Sequence, residues 1–489
     1  MSHAFNAESA LFDDDNIVSY GGLIPVMTLA QLTGLSDLLT EKITITTSKV
    51  KSGAANPAPK LTTLIAGRDC CSPRSRTMTD HVMILNRWVD EYAQYEKYVD
   101  HTQHTVTYIA TKVGVGGIPV FAKDFRQVDS TDSFETVLAA ANSLVAEHGM
   151  PDYVIALYED DTIVAAQLRE RFGCPGPKVA DIVRFRDKLH QARVMEKAGI
   201  RAPRFVAVED HEDIRALAQE VGFPIIVKPT LASSCVGVTV VRSAQEISRV
   251  VLDDQYVYIA QSYIDLPTYN IDGLYSQGEI VRIGTSRNFN TCLEFQSGGF
   301  LGSLEIDDSP LRRGIVDYID SVLKAMCSND ETIVFHIEIF VDHNAMPDQA
   351  CTFLEMGSRV GGAGIPFVWR EIYKFDLMWM QYELSCGRGI SAVTTGQPEG
   401  RAGWLLMQLP YERPCRIESV TSMIGVTPGP YAEALPEPGQ VVPLTNTFFE
   451  HVAGRFRLSG DNYTELFENM MATVEGFSIE ASPYRSEAR

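Results

Sequence analysis

No apolar run in this 489-residue chain reaches the eighteen or more residues that a membrane-spanning helix needs, so no membrane partner is expected. The start, MSHAFNAESALFDDDN, is acidic and has no signal-peptide core. Positive charge is scarce: 42 Lys and Arg stand against 63 Asp and Glu, and the net charge of −21 repels a nucleic-acid backbone. A small anionic ligand stays allowed wherever a few Lys and Arg converge. The nine cysteines include no CxxC pair and no His/Cys zinc spacing; only Cys70 and Cys71 are close. Reduced, structural thiols in a cytoplasmic protein are the expectation. Two nucleotide motifs are missing as well. No GxxxxGKS/T occurs, and GVGGIP (Gly114–Pro119) puts a proline where GxGxxG needs a small residue opening a helix. A plain turn is expected there.

What is present has the balance of a globular protein, 45% apolar and 21% charged, over a length that calls for two to four domains. Residues 1–77 form an odd front end. Helical apolar spacing at Leu29, Leu32, Leu35, Leu38 and Leu39 is followed by small polar residues and a turn-rich linker, RDCCSPRSRT. Over 78–178 strand patterns (HVMILN, TVTYIAT, IPVFAKD, PDYVIALYED) alternate with helical ones (DSFETVLAAANSLVAEHG, TIVAAQLRERFGCPG), which predicts a parallel α/β layer. Residues 179–395 predict an α+β domain. It opens with one amphipathic helix, VADIVRFRDKLHQARVMEKA, ended by Gly199. Strands follow at FPIIVKP, YVYIAQSYI, YNIDGLYS, EIVRIGTS, TIVFHIEIFVD and ACTFLEM, spaced as in an antiparallel sheet. Residues 396–489 read as a small mixed appendage with GWLLMQLP, GQVVPL and a last helix, NYTELFENMMATVEGF.

Four places carry chemistry. In FPIIVKPTLASSCVGV, Lys228 ends a buried strand, and small residues from Ala232 to Gly237 follow. Small side chains let backbone N–H groups turn onto a phosphate; the alternative is a lysine snorkelling from a strand end. Lys188, in RDKLHQ, reads by itself as a solvated helix lysine. Glu338 in FHIEIF and Glu355 in TFLEM are carboxylates on apolar strands, costly to bury unpartnered. A shared hard cation explains both, and separate neutralisation with Arg359 as a partner is the alternative. Arg359 offers a rigid fork for an anion, and Gly361, Gly362 and Gly364 allow close approach to the backbone.

The order of these motifs, a helix lysine, a strand lysine with a small-residue loop, further strands, then HxE and ExxxR-GG, resembles the ATP-grasp superfamily from about Pro151 to Gly460. Within it, ALYEDDTIVAAQLRERFGCPG leading into RDK, FHIEIF and EMGSRVGG look most like the carboxylate–amine ligases that include the L-amino acid (dipeptide) ligases. The resemblance implies an ATP-grasp fold preceded by a Rossmann-like parallel α/β domain, with residues 396–489 completing the ligase. It implies ATP and Mg²⁺, with Mn²⁺ as a substitute, and small-molecule partners: an amino acid or other carboxylate, and an amine. Lys188 and Lys228 match the nucleotide lysines, and Ser233, Ser234 and Gly237 lie in the phosphate loop. Gln261, Tyr263 and Ile264 fall beside adenine, and Thr268 stands where many members hold the ribose with an acid. Glu338 and Glu355 match the metal ligands and Arg359 the catalytic arginine. Gly357 stands where many members have asparagine.

The implied reaction phosphorylates a carboxylate, and an amine then displaces phosphate. The phosphate loop and QSGGFLGS (Gln296–Ser303) are its lid candidates. The side-chain pocket would draw on Arg287–Glu294, the Gly361–Gly364 turn and Glu159. Two other readings keep the nucleotide machinery: a biotin-carboxylase-like enzyme that phosphorylates bicarbonate, and a nucleotide-binding relative that no longer ligates. A homodimer is left open. Residues 1–67 resemble the N-terminal stretch of insertion-sequence transposases without a catalytic acid. The expectation is that 1–77 come from a gene fusion or a misplaced start, the ligase proper beginning at Met78.

Overall fold

Four short strands, β1 (His81–Asn86), β2 (Thr105–Thr111), β3 (Asp124–Val128) and β4 (Tyr153–Ile155), pair in parallel in the order β3-β2-β1-β4. The helices Phe134–His148 and Thr162–Phe172 connect and flank them, so β1 is apolar on both faces and buried throughout. One predicted strand is displaced. IPVFAKD forms no strand; Ala122 N–H bonds Pro119 O in a turn, Val120 and Phe121 are exposed, and the strand begins at Asp124. Proline removes a ladder donor there, and only the following residues can pair. GVGGIP is a turn, its first four residues forming a 3-10 turn.

The computed structural model describes residues 79–88, 92–233, 235–291, 294–295, 299–389, 398–444 and 452–484, all within the unit Thr79–Arg489. The front end 1–77, Ser234 and residues 296–298 of the lid candidate lie outside the described residues.

The predicted single helix from Val179 to Ala198 is two helices, Val179–Val183 and Lys188–Ala198. Asp187 makes the break: it takes an extended conformation, and its carboxylate accepts the N–H groups of Leu189 and His190. Lys188 thus becomes the first helical residue instead of a mid-helix one. This cap is worth about 1 kcal/mol. A second sheet follows, antiparallel, of β5 (Phe205–Val208), β6 (Ile225–Pro229), β7 (Thr239–Val241) and β8 (Tyr258–Ser262) in the order β5-β8-β6-β7.

The remaining strands are β9 (Thr268–Ser276), β10 (Glu279–Phe289), β11 (Phe300–Glu305), β12 (Thr332–Val341), β13 (Cys351–Gly357), β14 (Arg401–Gln408), β15 (Cys415–Val420), β16 (Ala432–Ala434), β17 (Val441–Val442), β18 (Val452–Gly460) and β19 (Ile479–Pro483). Eight of them make one sheet, ordered β13-β12-β9-β10-β11-β14-β18-β16. The last hundred residues are therefore no appendage, since β14 and β18 lie inside this sheet and only β15, β17 and β19 form a separate one. Phe300–Ser303 of the lid candidate is likewise strand β11. On one face, Tyr269, Ile271, Phe335, Ile337 and Ile339 pack against the amphipathic helix Pro310–Met326. The other face carries a polar set, Asn270, Asp272, His336 and Glu338, beside the apolar Leu274 and Val334.

Candidate active site

On that face Glu338 of β12 stands directly opposite Glu355 of β13. A bulge sets this register: Ile339 pairs with Phe353 and Glu338 with Glu355, so Leu354 is the extra residue. Like charges directly opposite each other destabilise a sheet. Here cations offset them. Lys188 Nζ lies 3.5 Å from Glu355 Oε2, and His336 Nε2 lies 3.6 Å from Glu338 Oε1. Burial pushes the Glu355 carboxyl up, but the charges of Lys188 and Lys228 outweigh it and hold it below the usual range. Both carboxylates keep about a third of their surface, 31% for Glu338 and 34% for Glu355. An all-oxygen pair of this kind fits a hard divalent cation.

Gln191 fixes the strand that carries Glu355. Its amide donates to Met356 O at 2.8 Å and accepts the Met356 N–H at 3.0 Å. Next along the chain, Arg359 turns back under the glycines. Its Nη2 reaches Glu159 Oε2 at 2.7 Å and Nη1 donates to Val360 O at 3.1 Å, while buried Nε has no partner among the described residues. Gly361 is needed for this turn. A Cβ there would stand 2.4 Å from Ile365 Cδ1, 2.5 Å from Asp272 Oδ1 and 2.8 Å from His336 Nδ1. A side chain at Gly357 would press on the Arg359 stem, 3.1 Å from Cγ, so the missing asparagine goes with this arginine placement.

Lys188, Glu355, Arg359, Glu159, Arg186 and His336 line one cavity of ≈ 260 Å³, counted with its open mouth. Two of these were under-read in the sequence. Glu159 comes from the parallel layer and was expected only as a pocket wall. Burial raises its carboxyl, yet Arg359, Arg186, Lys188 and His336 together bring it down to about 2. Arg186 was missed; its signal was its place two residues before Lys188 in FRDK. Its Nε lies 3.3 Å from Glu159 Oε1, and its Nη2 reaches Asp160 Oδ1 at 3.3 Å and donates to Leu231 O at 2.8 Å. Burial lowers His336, and Asp272, bonded to its Nδ1 at 2.8 Å, more than reverses this, to about 9.

Two phosphate-loop residues bond to residues in or beside this cavity. Lys188 Nζ donates to Ala232 O at 2.6 Å, and Ser233 Oγ donates to Asp160 Oδ1 at 2.8 Å. Gly237 adopts the left-handed φ of +71° at the end of the loop. Lys228 is only 6% exposed; burial holds its ammonium below the usual lysine range, and Glu355 offsets only part of this. The hinge residues stand apart. Gln261 pairs with Ile226 on the next strand of the small sheet, Tyr263 is 42% exposed just beyond β8, and Ile264 follows. Thr268 opens β9 and accepts Asn288 Nδ2 at 3.3 Å. Arg287, expected in the pocket, pairs with Tyr269 and belongs to the opposite, apolar face.

The chain is similar to several known proteins. The family described as RimK-like ATP-grasp domain matches residues 185–282. An L-arginine-specific L-amino acid ligase of Bacillus subtilis is 24% identical over 293 residues, 58% of this chain and 67% of that protein. A D-alanine–D-alanine ligase of Nitrosospira multiformis is 35% identical over 92 residues, covering 18% of this chain and 29% of that one. Among solved structures, an L-amino acid ligase from Bacillus licheniformis superposes with a TM-score of 0.63 at 16% identity, covering 82% of this chain and 98% of that one. A Campylobacter jejuni biotin carboxylase gives 0.60 at 15% identity, with 83% and 93% covered. The fold is that of the ATP-grasp proteins. The relatives support an ATP-dependent enzyme of the carboxylate–amine ligase kind. Among the described residues, no helix is long and apolar enough to cross a membrane.

Proposed function

We propose that this enzyme activates the carboxylate of an amino acid as an acyl phosphate and joins it to an amine, releasing ADP and phosphate. The observation that carries the reading is the convergence of Lys188, Glu355, Arg359 and Glu159 in one cavity, with Glu338 opposite Glu355. The L-amino acid ligases among the relatives favour an amino acid as the carboxylate.

Lys228 and Lys188 hold the ATP phosphates, and the loop from Ala232 to Gly237 covers them. Glu338 and Glu355 would hold Mg²⁺, which supplies charge neutralisation across the phosphate oxygens when bound. The substrate carboxylate then attacks the γ-phosphorus, its oxygen replacing the bridging oxygen that leaves with ADP. Phosphoryl transfer of this kind depends mostly on positioning and charge. The amine next attacks the acyl carbon and phosphate departs. Arg359 is the group suited to the oxyanion formed at that carbon, because its unpartnered Nε leaves a donor free for it. Glu159 keeps the guanidinium oriented. Gln261, Tyr263 and Ile264 would border adenine, and Thr268 the ribose.

Bicarbonate as the phosphoryl acceptor draws support from the shared fold alone. Loss of catalysis fits poorly with the presence of both lysines, both acids and the arginine. Phosphate release from ATP over a panel of amino-acid pairs, with product masses, tests the proposal. Amino-acid-dependent release with a dipeptide mass is expected; release with bicarbonate alone, or none at all, would refute it.

A further inference from the structure

The polar set on the large sheet extends well past the phosphate end. Glu355, Glu338, Asn270, Ser286 and Glu305 stand side by side across five consecutive strands, β13 to β11. The two proposed metal carboxylates occupy one end of this row. Over the other end lies a second, narrow cavity, floored by Asp272, Ser286 and Ser303 and walled by Trp369, Tyr373 and Trp404. A side-chain hydrogen bond joins the two cavities. Asp272 lines the second, His336 lines the first, and they meet at 2.8 Å.

Three features define what this cavity would take. Ser303 is 1% exposed, and its Oγ has no hydrogen-bond partner among the described residues. Leaving a buried hydroxyl unmet costs about 1–3 kcal/mol, so a polar ligand group is favoured beside it. No Lys or Arg lines the cavity, while Asp272 does, which disfavours a ligand carboxylate. Asp272 is already paired with His336, so a ligand cation is not required either. The two indoles and the Tyr373 ring, whose hydroxyl is committed to Glu305 Oε2 at 2.8 Å, suit the apolar stem of a side chain.

We infer that this second cavity is the side-chain subsite for one amino-acid substrate and selects a neutral side chain bearing a hydroxyl or amide. The inference rests on the ligase reading above and names the substrate class of that site. Asparagine, aspartate and leucine have nearly the same shape and separate its parts, with serine as a shorter hydroxyl. The test measures ATP-dependent phosphate release and product mass with the full chain, Mg²⁺ and each amino acid paired with glycine. Asparagine or serine should exceed both leucine and aspartate in kcat/KM by about tenfold or more. Ser303→Ala should cut that preference about tenfold through KM for the amino acid, leaving KM for ATP unmoved. Ser286→Ala carries the same test should Ser303→Ala fail to fold. Equal or better use of leucine or aspartate overturns the inference alone, as does an unchanged preference in a folded variant. No release with any amino acid overturns the ligase reading, and this inference with it.

Discussion

At the scale of single residues, the site is a charge balance in which each acid has a cation facing it. Arg359 is the member that the proposed mechanism sets against the reacting carbon. Arg359→Ala should lower kcat for amide formation by about 10²–10³-fold with little change in KM for ATP, measured by steady-state kinetics; unchanged turnover would remove it from the chemistry. Glu355→Gln should raise the Mg²⁺ concentration needed for half-maximal activity, and a superimposable magnesium titration would end its assignment as a ligand. Glu159 gives a prediction in pH. Its carboxyl lies at about 2 against an ordinary 4.5, so the folded state favours the ionised form. Its stabilisation is complete above pH 4.5 and is lost as pH falls through 2. Urea unfolding of parent and Glu159→Gln should differ by up to about 3 kcal/mol near pH 6 and converge towards pH 2.

At the scale of elements, what was legible in the sequence had local causes. HVMILN is a strand because Val82 to Leu85 are all apolar and it is buried on both sides, and its bounds match. The acid pair was readable because carboxylates on apolar strands stand out. The split at Asp187 was hidden, because apolar spacing continues across it while the break depends on one capping side chain. The Arg186–Glu159 and Arg359–Glu159 pairs and the Asp272–His336 bond were out of reach, since each joins residues far apart in the sequence. Strands β14 and β18 looked peripheral for the same reason: membership of a sheet is a long-range fact. The turn after Arg359 offers the sharpest test at this scale. Gly361→Ala forces a Cβ into Ile365, Asp272 and His336 together, and should cost about 1–3 kcal/mol in denaturant unfolding along with most of the activity. An alanine variant as stable and active as the parent would show that the turn tolerates a side chain.

At the scale of the whole molecule, separate layers meet at one cavity. The parallel layer brings Glu159, the helix Lys188–Ala198 brings Lys188 and Gln191, and the large sheet with the turn after it brings His336, Glu355 and Arg359, Glu338 standing opposite Glu355. All these residues follow Thr79. A chain beginning at Met78 should therefore release phosphate at the parent rate, and loss of activity on removing 1–77 would assign that segment a part in the enzyme. The central claim is that this cavity makes an acyl phosphate from an amino acid. Incubating the full chain with ATP, Mg²⁺ and an amino acid carrying ¹⁸O in its carboxylate tests it most directly. Transfer of one ¹⁸O into the released phosphate, alongside a dipeptide product, is the predicted result; phosphate free of the label would contradict it.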